Sequence, residues 1–338
     1  MKPRHFINCY VPTQACNFHC SYCYIGQRKE FDNRLFSCLY PLEVMKKATS
    51  MERFGGACIF NLCAGGETLL SKDIIPVIQM LLENGHNVSV VTNGTISERF
   101  DELLSIPNDL QDFLYIKFSF HYIELVRTNM MEKFWENVQK IRQSRVSFSI
   151  DITPCDELIQ YIPKIKQLFD ENMDGAMPHI SVARDTTDND LKILSSLSKS
   201  EYKRVWSVFD SPKFNYKIDE FLKPHKEYCY AGHYSFSLEL ATGNCRMCDG
   251  APHPEEMNFY NLYENPDEKI PFKEIGNKCP MAHCYNCHAL LTLGTIPELN
   301  TPTYAEMLDR IDNNNRHWLK PKIYDFYSQR LDFDEEEL

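Results

Sequence analysis

Two sets of cysteine residues hold most of the chemistry that this sequence can perform. The first set is Cys16, Cys20 and Cys23, at the spacing C-x₃-C-x₂-C. The second set has six members: Cys229, Cys245, Cys248, Cys279, Cys284 and Cys287. Nine of the fourteen cysteines thus lie in two segments, which indicates metal binding or redox chemistry in a compartment where disulfides do not persist.

The first set can bind an iron–sulfur cluster. Three thiolates in one loop can ligate three irons of a cubane [4Fe–4S] cluster and leave the fourth iron open for a substrate or cofactor. A structural zinc ion is the alternative, but zinc normally takes a fourth nearby Cys or His, and His19 lies between two of the ligands. The other five cysteines are interpreted as small buried hydrophobic residues: Cys9, Cys38, Cys58, Cys63 and Cys155.

The composition is that of an acidic globular protein. Of 338 residues, 43% are hydrophobic, and 36 Lys and Arg against 47 Asp and Glu give a net charge of −11. Without a Lys/Arg-rich run, this charge argues against nonspecific binding to nucleic acids or anionic membranes. The sequence shows neither a signal peptide nor the roughly 18 uninterrupted apolar residues of a spanning helix. We therefore expect a soluble, cytoplasmic protein with no nucleic-acid and no membrane partner.

Strand-like runs alternate with helical patterns from residue 5 to about residue 210. The predicted strands are His5–Val11, Ala57–Leu62, Asn87–Thr92, Leu114–Phe120, Ser147–Ile152 and His179–Ala183. The predicted helices are Pro41–Arg53, Lys72–Asn84, Ser97–Leu104, Met131–Gln143, Leu158–Glu171 and Lys199–Phe209. Six repeats of strand and helix predict an α/β fold with a parallel sheet, either open or a partial barrel. Ligands of such folds bind at the C-terminal ends of the strands, so we expect the functional site there.

This rhythm stops after Asp210, which suggests a domain boundary. Residues 1–210 form the predicted core domain and residues 211–226 a polar connector. Residues 227–300 carry the second cysteine set, several prolines and little helical periodicity, which predicts a small module held by metal. Residues 301–338 are predicted to form a helical tail with an acidic end.

The first cysteine set resembles the signature of the radical S-adenosylmethionine (radical SAM) superfamily. The matching residues are Cys16-x₃-Cys20-x-Tyr22-Cys23-Tyr24, where the aromatic residue before the third cysteine is part of the signature. Further matches follow the second, third and fourth strands in the expected order: Gly65-Gly66-Glu67, then Thr92-Asn93-Gly94, then Ser119 and His121. The resemblance covers about residues 5–210 and implies a core domain that is a partial (β/α)₆ barrel of parallel strands.

The resemblance also implies roles for these residues. It places Gly65, Gly66 and Glu67 at the methionine amino group of the cofactor, Asn93 and Tyr22 near the cofactor, and Ser119 and His121 at its ribose and carboxylate. Asp151 and Arg184 end the fifth and sixth predicted strands and would face the same cavity, although an ion pair in the core or at the surface explains them equally well.

The implied cofactors are a [4Fe–4S] cluster held by three cysteines and S-adenosylmethionine. One electron from the cluster splits a C–S bond of S-adenosylmethionine, and the resulting 5′-deoxyadenosyl radical takes a hydrogen atom from the substrate. The resemblance implies an external electron donor such as flavodoxin or ferredoxin.

The second cysteine set resembles the C-terminal auxiliary-cluster modules of the same superfamily, called SPASM and, in shortened form, twitch. The matching pattern is Cys229-x₁₃-Gly243-x₄-Cys248, followed by Cys279-x₄-Cys284-x₂-Cys287. It implies one auxiliary [4Fe–4S] cluster with Cys229, Cys248, Cys279 and Cys284 as ligands, because six cysteines are fewer than a full SPASM module needs. Substitution by Cys245 or Cys287, a second partly ligated cluster, and zinc on two of the pairs stay open.

The substrate is the least constrained part of the prediction. We expect oxidation or epimerisation of a sugar-like or other polar metabolite. The alternatives are a maturase that modifies a ribosomally made peptide or protein and a non-catalytic iron–sulfur electron carrier or scaffold. The chain starts at its first strand, without the N-terminal peptide-binding domain of many peptide-modifying relatives. It ends in Glu336-Glu337-Leu338, whereas molybdopterin-precursor cyclases usually end in Gly-Gly, so we expect a different reaction.

Overall fold

The structure is a computed structural model that describes residues 1–187, 192–249, 256–277, 279 and 281–333. The C-terminal residues 336–338, which entered the argument against a cyclase, lie outside the described residues.

The central element is a nine-stranded sheet. The described residues contain eleven strands, of which nine form this sheet: β1 Phe6–Val11, β2 Ile59–Ala64, β3 Asn87–Thr92, β4 Leu114–Ser119, β5 Ser147–Ile152, β6 His179–Ile180, β7 Arg184–Asp185, β8 Lys192–Ile193, β9 Ser235–Glu239, β10 Asn244–Arg246 and β11 Asn258–Asn261. The sheet order is β11-β10-β9-β1-β2-β3-β4-β5-β6, and β7 pairs with β8 separately. Strands β1 to β6 and β9 are parallel, while β10 and β11 are antiparallel additions. This confirms the predicted α/β fold, with β11 and β6 as the edges of the sheet in the described part of the chain.

Helices connect the parallel strands and continue towards the C-terminus. They are α1 Tyr24–Arg28, α2 Leu42–Ala48, α3 Met51–Phe54, α4 Ile74–Glu83, α5 Ser97–Ser105, α6 Asn108–Gln111, α7 Tyr122–Arg127, α8 Met131–Arg142, α9 Ile162–Met173, α10 Lys199–Trp206, α11 Pro212–Glu220, α12 Cys287–Leu290, α13 Tyr304–Leu308 and α14 Pro321–Tyr327. Short 3₁₀ turns cover Thr68–Leu70, Asp156–Tyr161 and Ser207–Phe209. Within the described residues, no helix is both long enough and apolar enough to cross a membrane.

Several sequence predictions of element bounds need correction. The second strand is Ile59–Ala64 instead of Ala57–Leu62, and the helix predicted for Leu158–Glu171 is a 3₁₀ turn, Asp156–Tyr161, followed by α9. The single helix predicted for Pro41–Arg53 is two helices, because Ser50 accepts a hydrogen bond from the Arg53 backbone N–H and begins α3 as its N-cap. The predicted sixth strand ends at Ile180 instead of Ala183, since the Ala183 N–H bonds to the Tyr202 hydroxyl rather than to a neighbouring strand.

The outer face of the sheet is apolar and covered by helices. On β1, Ile7, Cys9 and Val11 point to this face and are fully buried in the main core. Helix α8 shows the matching pattern, because Phe134 and Val138 lie one turn apart on its buried face.

The opposite, inner face carries a row of polar side chains. Asn61 Nδ2 donates to Asn8 Oδ1 at 2.7 Å, and Ser89 Oγ donates to Asn61 Oδ1 at 3.0 Å. Asn8 Nδ2 and Ser237 Oγ both donate to the carboxylate of Asp249. We call Ser237, Asn8, Asn61 and Ser89 the inner polar row; it crosses β9, β1, β2 and β3 in register.

The C-terminal residues close one end of the inner face. Phe6 packs edge-on against Tyr304, and Tyr115 packs edge-on against Tyr327, with ring centroids 6.2 and 5.9 Å apart. Leu293 is fully buried in the same cluster. This apolar cluster fills one end of the inner face. A ligand can therefore bind at the polar middle of that face or at the C-terminal ends of the strands.

The sheet continues past the predicted boundary at residue 210. Residues 211–226 contain α11, and β9 pairs with β1 over Phe6↔Ser235 to Tyr10↔Glu239. The cysteine-rich segment thus shares a sheet with the first half of the chain. The division into domains at residues 210, 226 and 300 stays a prediction.

Candidate functional site: two cysteine sets around a polar half-barrel

The first cysteine set lies in the loop that joins β1 to α1, at the C-terminal end of β1. Cys23 is the N-cap of α1, and the Cys16 thiol accepts the Phe18 backbone N–H at 3.4 Å. Each of Cys16 and Cys20 interacts electrostatically with Cys23. Burial raises the pKa of Cys16 to about 12 and that of Cys20 well above its usual value. Three thiols on one short loop fit the three-cysteine cluster, which would displace their protons when it binds.

Two anchors hold this loop in place. The buried carboxylate of Glu124 on α7 accepts the His19 backbone N–H at 2.7 Å, and Arg127 binds the same carboxylate through two nitrogens, at 2.9 and 2.7 Å. Asn93 Nδ2 donates to Asn17 Oδ1 at 2.7 Å. Sequence reasoning missed Glu124, whose spacing to Arg127 is that of an ordinary surface ion pair on a helix.

The loop after β2 contacts the cysteine loop backbone to backbone. The Gly66 N–H bonds to the Thr13 carbonyl at 2.7 Å, and the Glu67 N–H bonds to the Ala15 carbonyl at 2.9 Å. A Cβ on Gly66 would lie 2.0 Å from the Ala15 oxygen, and one on Gly65 would also meet atoms within 3.0 Å. Gly66 is therefore required by close approach of two backbones, whereas the atoms near Gly65 belong to the side chains of Gln14 and Ile25, and the two loops form one rigid unit.

The Glu67 side chain binds to the protein itself. Its buried carboxylate accepts the Leu69 N–H at 2.9 Å, the Thr92 hydroxyl at 2.6 Å and the Asn93 N–H at 2.7 Å. Burial raises the pKa of Glu67 despite these three hydrogen bonds. The carboxylate thus ties the loop after β2 to the end of β3, and a positioning role stands beside the cofactor contact expected from the resemblance.

Replacing Glu67 with Ala is expected to lower the affinity for S-adenosylmethionine about tenfold without loss of iron, because three donors at the cofactor loop lose their acceptor. Titration of the reconstituted protein with S-adenosylmethionine and an iron assay measure the two quantities. The exposed Glu98 on α5 provides the control Glu98→Ala. An unchanged affinity in Glu67→Ala would contradict the role.

The remaining predicted cofactor residues gather at the same edge of the sheet. The Tyr22 hydroxyl forms a 2.7 Å hydrogen bond with His121 Nδ1, and the His121 ring also packs edge-on against Phe18. Burial lowers the pKa of His121 to about 4, so its imidazole is neutral at neutral pH. Asn93 is buried beside Cys16, and half-buried Ser119 is the last residue of β4. The structure thus brings these residues to one edge.

The second cysteine set borders a cavity of about 740 Å³, a volume that includes solvent at its mouth. Its lining contains the four cysteines predicted as auxiliary ligands: Cys229, Cys248, Cys279 and Cys284. Asn8 and Ser237 of the inner polar row line the same cavity, as does Asp249. The cavity therefore opens onto the inner face of the half-barrel.

The two other cysteines of this set lie elsewhere. Cys245 on β10 is fully buried in the main core, where it interacts with Cys9 on the outer face. Cys287 begins α12 and is buried next to Cys284, outside the cavity lining. Across the described residues, no group of three or more His, Cys, Asp or Glu side chains is arranged to hold a single metal ion.

Four basic side chains, which we call the cation group, come from β4, β7 and α11. They are Lys117, Arg184, Lys213 and Lys217. The Lys117 and Lys213 ammonium groups lie 3.1 and 2.6 Å from Oδ2 of Asp151. All four cations interact electrostatically with buried His288. Asp151 was noted in the sequence, whereas the two lysines of α11 lie in the segment predicted as a connector.

The cation group carries more positive charge than Asp151 balances. Burial opposes ionisation of Asp151, yet Lys117 and Lys213 hold its pKa well below the ordinary range. Burial, together with repulsion between the cations, lowers the pKa of Lys213 to about 7 and that of Lys217 to about 8. Two or three uncompensated charges therefore face the inner side of the sheet.

Cys63 links these parts into one site. It is half-buried at an inner-face position of β2, whereas the sequence predicted a small buried hydrophobic residue. Burial raises the pKa of its thiol to about 11, and the thiol interacts with Lys117, Asp249 and Glu67. The loop after β2, the cation group and the cavity bordered by the second cysteine set therefore face a common space.

Comparisons with known proteins agree with this arrangement. The family model described as "Radical SAM superfamily" matches residues 10–155. A curated relative, the probable GTP 3′,8-cyclase of Methanococcus vannielii, is 23% identical over 239 residues, covering 65% of this chain and 77% of the relative. Solved structures of anSMEcpe show the same fold, with TM-scores of 0.56 with bound AdoMet and 0.54 with AdoMet and the Cp18Cys peptide. Their identities are 14% and 15%, and the matches cover 79% of this chain and 77% and 79% of those chains. Residues 10–155 are thus a radical SAM domain, the domain of enzymes that use S-adenosylmethionine and a [4Fe–4S] cluster.

Proposed function

We propose that the protein is a radical SAM oxidoreductase that oxidises or epimerises a polar metabolite held on the inner face of the half-barrel. The observation that carries this proposal is the rigid contact between the two loops, in which Gly66 lies against the backbone of Ala15, one residue before Cys16. This contact joins a three-thiol loop to a glycine loop at the ends of two adjacent parallel strands, above a polar surface.

The residues at this edge of the sheet have two proposed roles, cluster binding and close approach to the cofactor. Cys16, Cys20 and Cys23 are proposed to hold the catalytic cluster, while Gly65 and Gly66 let the backbone approach the cofactor closely. When bound, cluster and S-adenosylmethionine together supply the 5′-deoxyadenosyl radical that removes a hydrogen atom from the substrate. The protein aims that radical and excludes competing hydrogen donors, which requires the rigid loop contact.

Cys229, Cys248, Cys279 and Cys284 are proposed to hold one auxiliary [4Fe–4S] cluster. All four line one cavity next to the inner polar row, whereas Cys245 lies on the other side of the sheet. Four thiolates leave no open iron, so this site would take up one electron from the substrate after hydrogen removal. Release of a proton to solvent then completes a two-electron oxidation.

Replacing Cys229 and Cys248 with Ala is expected to lower iron from about eight to about four per chain, because each cubane binds four irons. The variant should keep uncoupled cleavage of S-adenosylmethionine and lose substrate conversion. Iron analysis and Mössbauer spectroscopy test this count. A wild-type value of about twelve irons would instead indicate two auxiliary clusters, and bound zinc would remove the electron-transfer role.

The direct test of the proposed activity is formation of 5′-deoxyadenosine. The protein is reconstituted anaerobically with iron and sulfide, reduced with dithionite and incubated with S-adenosylmethionine. Chromatography should then show 5′-deoxyadenosine. An electron carrier or scaffold would form none. Replacing dithionite with reduced flavodoxin or ferredoxin tests the proposed physiological donor.

A second candidate is a maturase that modifies a peptide. The observation that favours it is the fold shared with anSMEcpe, whose structure holds the Cp18Cys peptide together with AdoMet. Gene neighbourhood separates the candidates. A short Cys- or Gly-rich precursor gene beside this one would favour the peptide, and glycosyltransferase genes would favour a sugar.

A further inference from the structure

The proposed chemistry gives the cation group no role, although the group is the strongest charge on the inner face. Lys117 and Lys213 bind Asp151, but within the described residues neither Lys217 nor Arg184 forms an ion pair with a carboxylate. The Arg184 guanidinium instead stacks over the Tyr285 ring, 5.0 Å from its centroid. The Lys217 and Arg184 side chains are both half-buried, and cations that are partly withdrawn from water are normally paired, so the imbalance indicates a bound anion.

Unpaired polar atoms surround the same place. Asp151 Oδ1, His283 Nδ1 and His288 Nδ1 are buried and have no hydrogen-bond partner among the described residues. His288 interacts with all four cations, and His283 interacts with Arg184 and Lys217. Because buried polar atoms of native proteins are almost always hydrogen-bonded, these three unpaired atoms indicate a binding site for a polar ligand.

The position of the cation group relative to the two cysteine sets is informative. Gln27 Nε2 donates to the backbone carbonyls of both Tyr22 and Arg184, at 3.1 Å each, which places Arg184 beside the first cysteine loop. On the other side, Tyr285 stacks on Arg184 and lines the cavity of the auxiliary cysteines. A molecule bound at Arg184 therefore lies between the two cysteine sets.

We propose that Lys217 and Arg184 bind an anionic group of the substrate, either a phosphate ester or a carboxylate. This inference rests on the proposed function, since it names the class of substrate for that site. The Arg184 fork suits two oxygens of such a group at once, and the Lys217 ammonium adds a mobile donor. Lys117 and Lys213 are already paired with Asp151 and form the fixed part of the cation group. The substrate is thus an anionic metabolite, although the protein as a whole carries a net charge of −11.

The test uses the reconstituted protein with S-adenosylmethionine bound and two probes, inorganic phosphate and acetate, at constant ionic strength. Phosphate or acetate should raise the thermal unfolding midpoint of the wild type by about 2 °C or more. The rise should vanish in Lys217→Met and Arg184→Gln. The control is Lys164→Met, which removes an exposed lysine of α9 with the same change of charge and should keep the rise.

Each outcome decides between hypotheses. A larger rise with phosphate identifies a phosphate ester, and a larger rise with acetate identifies a carboxylate. No rise in the wild type, or the same rise in all variants, overturns the proposal. A lower affinity for S-adenosylmethionine in Lys217→Met would also overturn it, because the cations would then bind the cofactor carboxylate. Lys217→Gln replaces the Met variant if that variant does not fold.

Formation of 5′-deoxyadenosine by the wild type is measured separately. Its absence would remove the proposed function and leave the anion result standing, so the two failures are distinguishable.

Discussion

No 5′-deoxyadenosine is expected from the variant in which Cys16, Cys20 and Cys23 are all replaced by Ala. These three thiols of one loop are the proposed ligands of the catalytic cluster, and alanine provides no donor for iron. Iron should fall from about eight to about four per chain, because the auxiliary cysteines are untouched. Chromatography of the reaction with dithionite and an iron assay measure both quantities.

The matched control is Cys38→Ala, which removes a half-buried thiol that lies away from both cysteine sets in sequence. It should keep both its iron and its activity. Cleavage of S-adenosylmethionine by the triple variant would show that the assignment of the catalytic cluster is wrong.

The second large effect is expected for Gly66→Ala. The new Cβ would lie 2.0 Å from the Ala15 oxygen and 2.6 Å from its carbonyl carbon, and both atoms belong to the backbone that leads into Cys16. Relief of this overlap must separate the two loops. Overpacking of this kind costs about 1–3 kcal/mol, and because the strain falls on the loops that hold the cofactor, affinity for S-adenosylmethionine should fall by about fivefold or more. Titration with S-adenosylmethionine and thermal unfolding measure the two effects.

Gly26→Ala is the control for this variant. Gly26 lies in α1. The atom nearest to an added Cβ would be Cε2 of the Phe31 side chain, at 3.4 Å, which is an ordinary van der Waals distance. Alanine also favours a helix over glycine, so this variant should bind S-adenosylmethionine as the wild type does. Wild-type affinity in Gly66→Ala would contradict the rigid contact between the loops.

The parallel strands could be predicted from sequence because each is a short run of β-favouring residues followed by a helical pattern. The bounds of β3 and β5 agree with the prediction at both ends. The break between α2 and α3 could not be predicted in this way, since it depends on one N-cap hydrogen bond to Ser50. Local capping decides where a helix ends within an otherwise helical pattern.

The inner face was less accessible to prediction, although its signal is present in the sequence. Asn8 on β1 and Asn61 on β2 alternate with apolar residues at period two, a pattern that marks one polar face on strands expected to be buried on both. Lys213 and Lys217 gave no such signal. They are four residues apart, but their spacing has meaning only once α11 is known to be a helix.

The strand β1 contributes to both halves of the site. Its Asn8 side chain bonds to Asp249, the residue after Cys248, and its C-terminal end leads into the loop that begins at Cys16. Cys16 and Cys248, one thiol from each group, are thus both tied to a single central strand that is paired on both sides, and this strand sets the spacing between them. Insertions or deletions within residues 222–226, after the end of α11, should change the length of the connecting chain and leave that spacing the same. Homologues with connectors of different lengths could therefore keep one electron-transfer geometry.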